Sequence, residues 1–149
     1  MPNELSDARE AVRRLTIIYV GLFFSPLAML AVIRTMTEGE AARPLEKVLP
    51  LVIPLGAVAL VNVVLSFVLP SRIVKAQGQS VYMLASTVKI ISFALAESAG
   101  LMVVVLYMLS HRKELLLGLA VPYLALLAHR PTEEGVEELA RKFERGGGE

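Results

Sequence analysis

One carboxylic acid lies where its chemistry would be unusual. Glu97 is the only charged residue in the apolar stretch from Ile90 to Leu109. A charge at the centre of a bilayer costs about 2.5–3.5 kcal/mol even on the most lenient insertion scale. A carboxyl group there is therefore expected to be protonated, to have a polar partner or to face water. Intramembrane carboxyl groups of this kind often carry protons or cations.

Two hypotheses follow for Glu97. In the first it is a proton or cation site. In the second it is a protonated acid that hydrogen-bonds to a neighbouring helix, in this chain or in a partner subunit. Asn62 is the predicted hydrogen-bond partner, because it lies at a similar depth on an antiparallel apolar segment. The second hypothesis is favoured, because no other acid or base lies within an apolar segment to continue a proton relay.

Small residues follow the same segment at helical spacing. Ser92, Ala96 and Gly100 recur every fourth residue, and Ala94 and Ser98 form a second pair. Spacing of this kind lets helix backbones approach closely in lipid. We therefore predict that the Glu97 side of this helix packs against protein.

The other residues with chemical potential form no recognisable constellation. The chain has no cysteine, and its net charge of +1 gives no indication of nucleic-acid binding. His111 and His129 are predicted at opposite membrane faces, so they cannot share one haem, although either alone could be an axial ligand. No catalytic residues, metal ligands or cofactors are predicted.

The elements that position these residues are predicted to be membrane-spanning helices. Four apolar segments are each bounded by polar sequence, and they cover about residues 15–33, 48–69, 90–109 and 115–128. They predict an all-α, integral-membrane four-helix bundle over residues 1–130. The fourth segment is short, which leaves open a re-entrant loop. A short amphipathic helix is predicted in the tail at residues 131–149, with Thr132 as its N-cap. A solvated helix is favoured, and the alternatives are that it lies on the membrane surface, binds a partner or frays.

The distribution of lysine and arginine predicts the orientation. Ten basic residues fall on one face of the predicted bundle, namely Arg9, Arg13, Arg14, Arg72, Lys75, Lys89, Arg130, Arg141, Lys142 and Arg145. Five fall on the other, namely Arg34, Arg43, Lys47, Arg112 and Lys113. We therefore predict a multi-pass protein of the inner (cytoplasmic) membrane with both termini in the cytoplasm.

Two stretches carry a resemblance. ALAESAGLMVVVLYMLSH (94–111) and HRPTEEGVEEL (129–139) resemble a group of small uncharacterised bacterial membrane proteins. That group has an Ala-Leu-x-Glu third span and an Arg-Pro-Thr start to a cytoplasmic tail, and the resemblance implies four spans and little else. The sequence around Glu97 is also locally similar to the acid-bearing helix of ATP synthase proteolipids, but the Gly-rich partner helix of that family is missing here.

These observations favour a structural function. The predicted protein is an accessory or structural membrane subunit in contact with the lipid bilayer and with other membrane subunits or further copies of itself. The first alternative is a proton- or ion-handling component that uses Glu97. The second is a cofactor-binding membrane subunit that uses His111 or His129.

Overall fold

The computed structural model describes residues 2–73 and 80–146, and the regular secondary structure among them is all helical, with no strand. The elements, in chain order, are α1 (Pro2–Met36), α2 (Leu45–Val68), α3 (Pro70–Ile73), α4 (Val81–Ser110), a 3₁₀ helix (Lys113–Leu119), α5 (Ala120–Ala128) and α6 (Glu133–Gly146). The predicted all-α bundle is confirmed.

Three helices are long and apolar enough to cross a membrane, over Ala8–Met36, Leu45–Val68 and Val81–Ser110. The total rises to four if Lys113–Ala128 and Glu133–Arg145, which are bent by 70° relative to each other, are counted together as one broken span. This arrangement is that of a multi-pass membrane protein. The third helix is longer than the predicted span, since α4 begins nine residues before Ile90 and projects beyond the apolar segment.

The 3₁₀ helix bears on the length of the fourth segment. Sixteen residues of α-helix would extend about 24 Å, which is short for a hydrocarbon core of about 30 Å. A 3₁₀ helix rises about 2.0 Å per residue, so Lys113–Leu119 followed by α5 extends about 27 Å. The tighter winding thus brings this segment closer to the length that a full crossing requires.

Helix α4 is the centre of the bundle. It packs against α1, α2, α5, α6 and the 3₁₀ helix, whereas α1 and α2 pack mainly on α4 and not on each other. In the apolar 18-residue segment of α4, 50% of the residues are buried within the protein, compared with 11% in the corresponding segments of α1 and α2. The apolar side chains of α1 and α2 are therefore left largely for lipid.

The C-terminal helix is part of this core. Val136 and Ala140 of α6 are buried, and Val136 belongs to the same apolar cluster as Phe93 and Leu15. The Thr132 hydroxyl accepts a hydrogen bond from the Gly135 amide at 3.1 Å, which confirms the predicted N-cap. The favoured prediction of a solvated tail is wrong for this apolar face, because α1 and α4 extend beyond the apolar spans and cover it.

A hydrogen bond supports α1 at its internal proline. Pro26 has no amide to give to the carbonyl one turn earlier, and its ring weakens the neighbouring hydrogen bonds. The Tyr123 hydroxyl of α5 donates to the Phe23 carbonyl at 3.1 Å. Pro26 leaves the Leu22 carbonyl without its helical donor, and Tyr123 donates to the next carbonyl along the chain, that of Phe23, beside this interruption.

Removing this donor is expected to have a small effect. Tyr123→Phe should lower the free energy of unfolding by about 0.5–1.5 kcal/mol, because interhelical hydrogen bonds in membranes contribute about that much. Thermal unfolding in detergent would measure it. Tyr107→Phe is the matched control, because the Tyr107 hydroxyl has no hydrogen-bond partner among the described residues. Equal losses in the two variants would contradict the prediction.

Candidate functional site

A layer of polar side chains crosses the bundle at the depth of Glu97. The Ser25 hydroxyl of α1 donates to Glu97 Oε1 at 2.7 Å. Beside it, the Asn62 amide of α2 donates to the Ser98 hydroxyl at 3.0 Å. Ser98 donates its own proton to the Leu95 carbonyl, which leaves its oxygen free to accept. We call Ser25, Asn62, Glu97 and Ser98 the polar layer, and it ties α1 and α2 to α4 at a single level.

The predicted pairing of Asn62 with Glu97 is wrong. Consecutive residues of an α-helix point about 100° apart, so Glu97 and Ser98 face different neighbours. Glu97 faces α1 and Ser98 faces α2. Asn62 and Glu97 do lie at the same depth, as predicted, but depth alone does not determine on which side of α4 each neighbouring helix lies.

Ser25 and Ser98 are the members of this layer that sequence reasoning did not assign to it. Ser25 lies near the middle of the first apolar segment, at almost the depth of Glu97. A comparison of depths that included hydroxyl groups would have found it. Ser98 follows Glu97 directly. Its small size predicts close helix packing, but it does not predict the hydrogen bond that Ser98 accepts from Asn62.

One face of α4 has no helix packed on it within the described chain. It lies between α1 and α2, and its residues all fall within about 40° of Ala94 around the helix axis. Met83, Ile90, Ala94 and Met108 are exposed, and the others are half-buried. We call this the open face, and it comprises Met83, Thr87, Ile90, Ala94, Leu101, Val105 and Met108. Glu97 and Ser98, both half-buried, border it on either side.

The predicted small-residue stripe lies on a different side of α4. Ser92, Ala96 and Gly100 are all buried. A Cβ atom at Gly100 would lie 3.2 Å from Cγ of Pro26 and 3.9 Å from Cβ of Pro122. The stripe therefore lets α1 and α5 approach α4 closely, while Ala94 of the second small-residue pair lies on the open face and Ser98 borders it.

A second polar cluster lies where α5 ends. His129 is buried, and its Nε2 is 3.0 Å from the Ser66 hydroxyl of α2. That hydroxyl donates to the Val63 carbonyl at 2.7 Å, so Nε2 carries the proton and donates to Ser66. The Lys89 ammonium of α4 donates to the His129 carbonyl at 3.4 Å, at the negative end of α5. Burial, and secondarily the charge of Lys89, lower the pKa of His129 to about 4.

The other histidine lies at the opposite end of α4. His111 ends this helix in the left-handed conformation, with φ of 53°. Its Nε2 is 2.9 Å from Glu40 Oε2, and the Arg43 amide donates to the Ser110 carbonyl at 2.9 Å. These contacts fix the loop between α1 and α2 to the end of α4. The structure therefore places the two histidines and Glu97 at three separate levels.

Comparisons with family models, with curated proteins and with solved structures find no match to this chain. Within residues 2–73 and 80–146, no three histidine or acidic side chains are grouped as a metal site would require. The polar layer and the open face beside it remain as the candidate functional site. The geometry of this site suits helix recognition, because it combines small residues with hydrogen-bonding groups.

Proposed function

We propose that this chain is an accessory subunit of a larger membrane complex and that its open face receives a transmembrane helix of another subunit. The observation that carries the proposal is the position of Glu97 and Ser98 at the borders of an uncovered helix face. In lipid, half-exposed polar groups at this depth are unfavourable. A helix seated on the open face would cover them.

The shape of the open face supports this function. Its centre is formed by Ala94, with Ser98 one turn away, so a second backbone could approach closely. Larger apolar side chains stand above and below, including Ile90 and Met108. Since α1 and α2 flank the face, they would limit the angle at which a partner helix could cross α4. The positive-inside rule favours a complex in the cytoplasmic membrane with both termini of the chain inside.

Site-specific photo-crosslinking in native membranes tests the proposal. A photoreactive residue at Ala94 is expected to give a discrete protein adduct. The same residue at Leu60 of α2, which is 59% exposed on an outward face, is expected to crosslink lipid only. Ala94→Trp should dissociate the larger assembly on native gels, whereas Leu60→Trp should leave it intact. A monomeric wild-type chain whose Ala94 position crosslinks lipid alone would overturn the proposal.

Variants of Glu97 separate this function from proton handling. Glu97→Gln keeps an oxygen that accepts from Ser25, so assembly should change by less than about twofold. Glu97→Leu removes the polar group at the border of the open face and should weaken association about fivefold, which is the loss of about 1 kcal/mol expected if the partner helix hydrogen-bonds to Glu97. Ion flux in liposomes that Glu97→Gln abolishes while assembly persists would instead favour the proton-handling alternative.

A further inference from the structure

A groove of about 540 Å³ lies between α1, the end of α4 and the 3₁₀ helix, away from the open face. Leu27, Leu30, Ala31 and Leu116 form its apolar part, and Tyr107 also lines it. Along α1 the apolar lining extends about 10 Å from Arg34 towards the membrane interior. Its volume is within the range of small-molecule binding sites.

Charged residues line one end of this groove. Arg34 is the first charged residue after the apolar part of α1, and Lys113 begins the 3₁₀ helix. The ends of α1 and α4 lie at the same membrane face, so both cations fall at the depth of lipid headgroups. Neither cation has an ion pair or hydrogen bond to another described residue. Glu38 is the one acidic residue of the lining, which leaves the groove with a net charge of +1.

We propose that this groove binds one anionic phospholipid. Its phosphate would lie between the Arg34 guanidinium and the Lys113 ammonium, and an acyl chain would lie along Leu27 and Leu30. A headgroup of charge −1 complements a groove of charge +1. The Tyr107 hydroxyl, which has no partner within the described chain, supplies one further donor to the headgroup.

The combination of charge and apolar surface distinguishes this groove from a second one on the molecule. A groove of about 360 Å³ near the opposite end of α1 also contains an arginine. That residue, Arg14, is already paired with Glu10, so its charge is neutralised within the chain. Of the two grooves, the one at Arg34 presents unpaired cations at the end of an apolar channel, which is the pattern that anionic lipids recognise.

Native mass spectrometry of the full chain in detergent, titrated with dioleoylphosphatidylglycerol, tests the proposal. We expect one saturable lipid adduct with at least fivefold preference over dioleoylphosphatidylcholine. The Arg34→Ala/Lys113→Ala double variant should raise the apparent Kd at least fivefold. The Arg43→Ala/Lys47→Ala pair is the matched control, because these exposed cations lie on the same face outside the groove, and its Kd should stay within twofold.

A second variant distinguishes a lipid from a free phosphate and does not alter the charges. Ala31→Trp fills the apolar part of the groove and leaves both cations in place. It should weaken phosphatidylglycerol binding at least threefold, and 10 mM inorganic phosphate should not displace the lipid. Equal binding of the two lipids, equal losses in the test and control pairs, or displacement by phosphate with no effect of Ala31→Trp would each overturn the proposal.

Discussion

Replacing Gly100 with leucine is expected to lower the free energy of unfolding by about 2–3 kcal/mol, a larger loss than removal of the Tyr123 hydroxyl should cause. Overpacking a filled core has an effect of about this size. A Cβ atom at Gly100 already approaches Pro26 Cγ to 3.2 Å, and a proline ring has little freedom to move aside. The rest of a leucine side chain would push α1 and α5 away from α4.

A smaller side chain at Gly100 and a leucine at another glycine test whether close packing causes this loss. Gly100→Ala should lower the free energy of unfolding by about 1 kcal/mol, since only one contact is too close. Gly21→Leu on α1 is the control, because no atom lies within 4 Å of its added Cβ. Unfolding in mixed detergent, followed by circular dichroism, measures all three variants. If Gly21→Leu destabilises as much as Gly100→Leu, close packing at Gly100 is not the cause.

Acidification is expected to destabilise the fold through His129. The pKa of this histidine is lowered by burial, and by Lys89, from 6.5 to about 4. At pH values between about 4 and 6.5, His129 is protonated in the unfolded chain and neutral in the folded chain. The free energy of unfolding therefore decreases as the pH falls through this range. The contribution of neutral His129 is therefore fully present above about pH 6.5 and is lost as pH falls towards 4. Protonation would also place a cation beside the Lys89 ammonium.

The measurement is the thermal midpoint at several pH values between 7.5 and 4. His129→Gln keeps an amide donor for Ser66 but does not titrate, so its midpoint should fall less steeply than that of wild type. Ser66→Ala is the control, because it removes the hydroxyl beside Nε2 and leaves the titrating imidazole in place, so its pH dependence should remain as steep as that of wild type. Parallel curves for wild type and His129→Gln would contradict the prediction.

Much of the architecture could be predicted from charge exclusion alone. The apolar segments indicate the correct helices because a bilayer tolerates few charges, and the Thr132 cap is recognisable from its position before two glutamates. The extent of α4 is not, because the charge of Lys89 marks the edge of the predicted apolar span, whereas residues 81–88 before it are also helical. Their helical state depends on packing with α1 and α6, which no local pattern encodes.

The candidate site could be predicted only in part for a similar reason. The depth of Glu97 follows from counting residues, but its partner depends on how α1 and α2 are arranged around α4. Sequence periodicity indicates which face of a helix carries the polar and small residues. It does not indicate which neighbouring helix packs on that face. Ser25 and Asn62 therefore acquire their roles only when the three helices are placed together.

The central position of α4 has a consequence for the order in which the protein assembles. Because α1 and α2 pack on α4 and hardly on each other, these two helices leave the ribosome and reach the bilayer before their common partner has been synthesised. Until α4 inserts, the Ser25 hydroxyl and the Asn62 amide have no interhelical partner and must face lipid or the insertion machinery. Synthesis of the third long helix is therefore the step at which the bundle can first form.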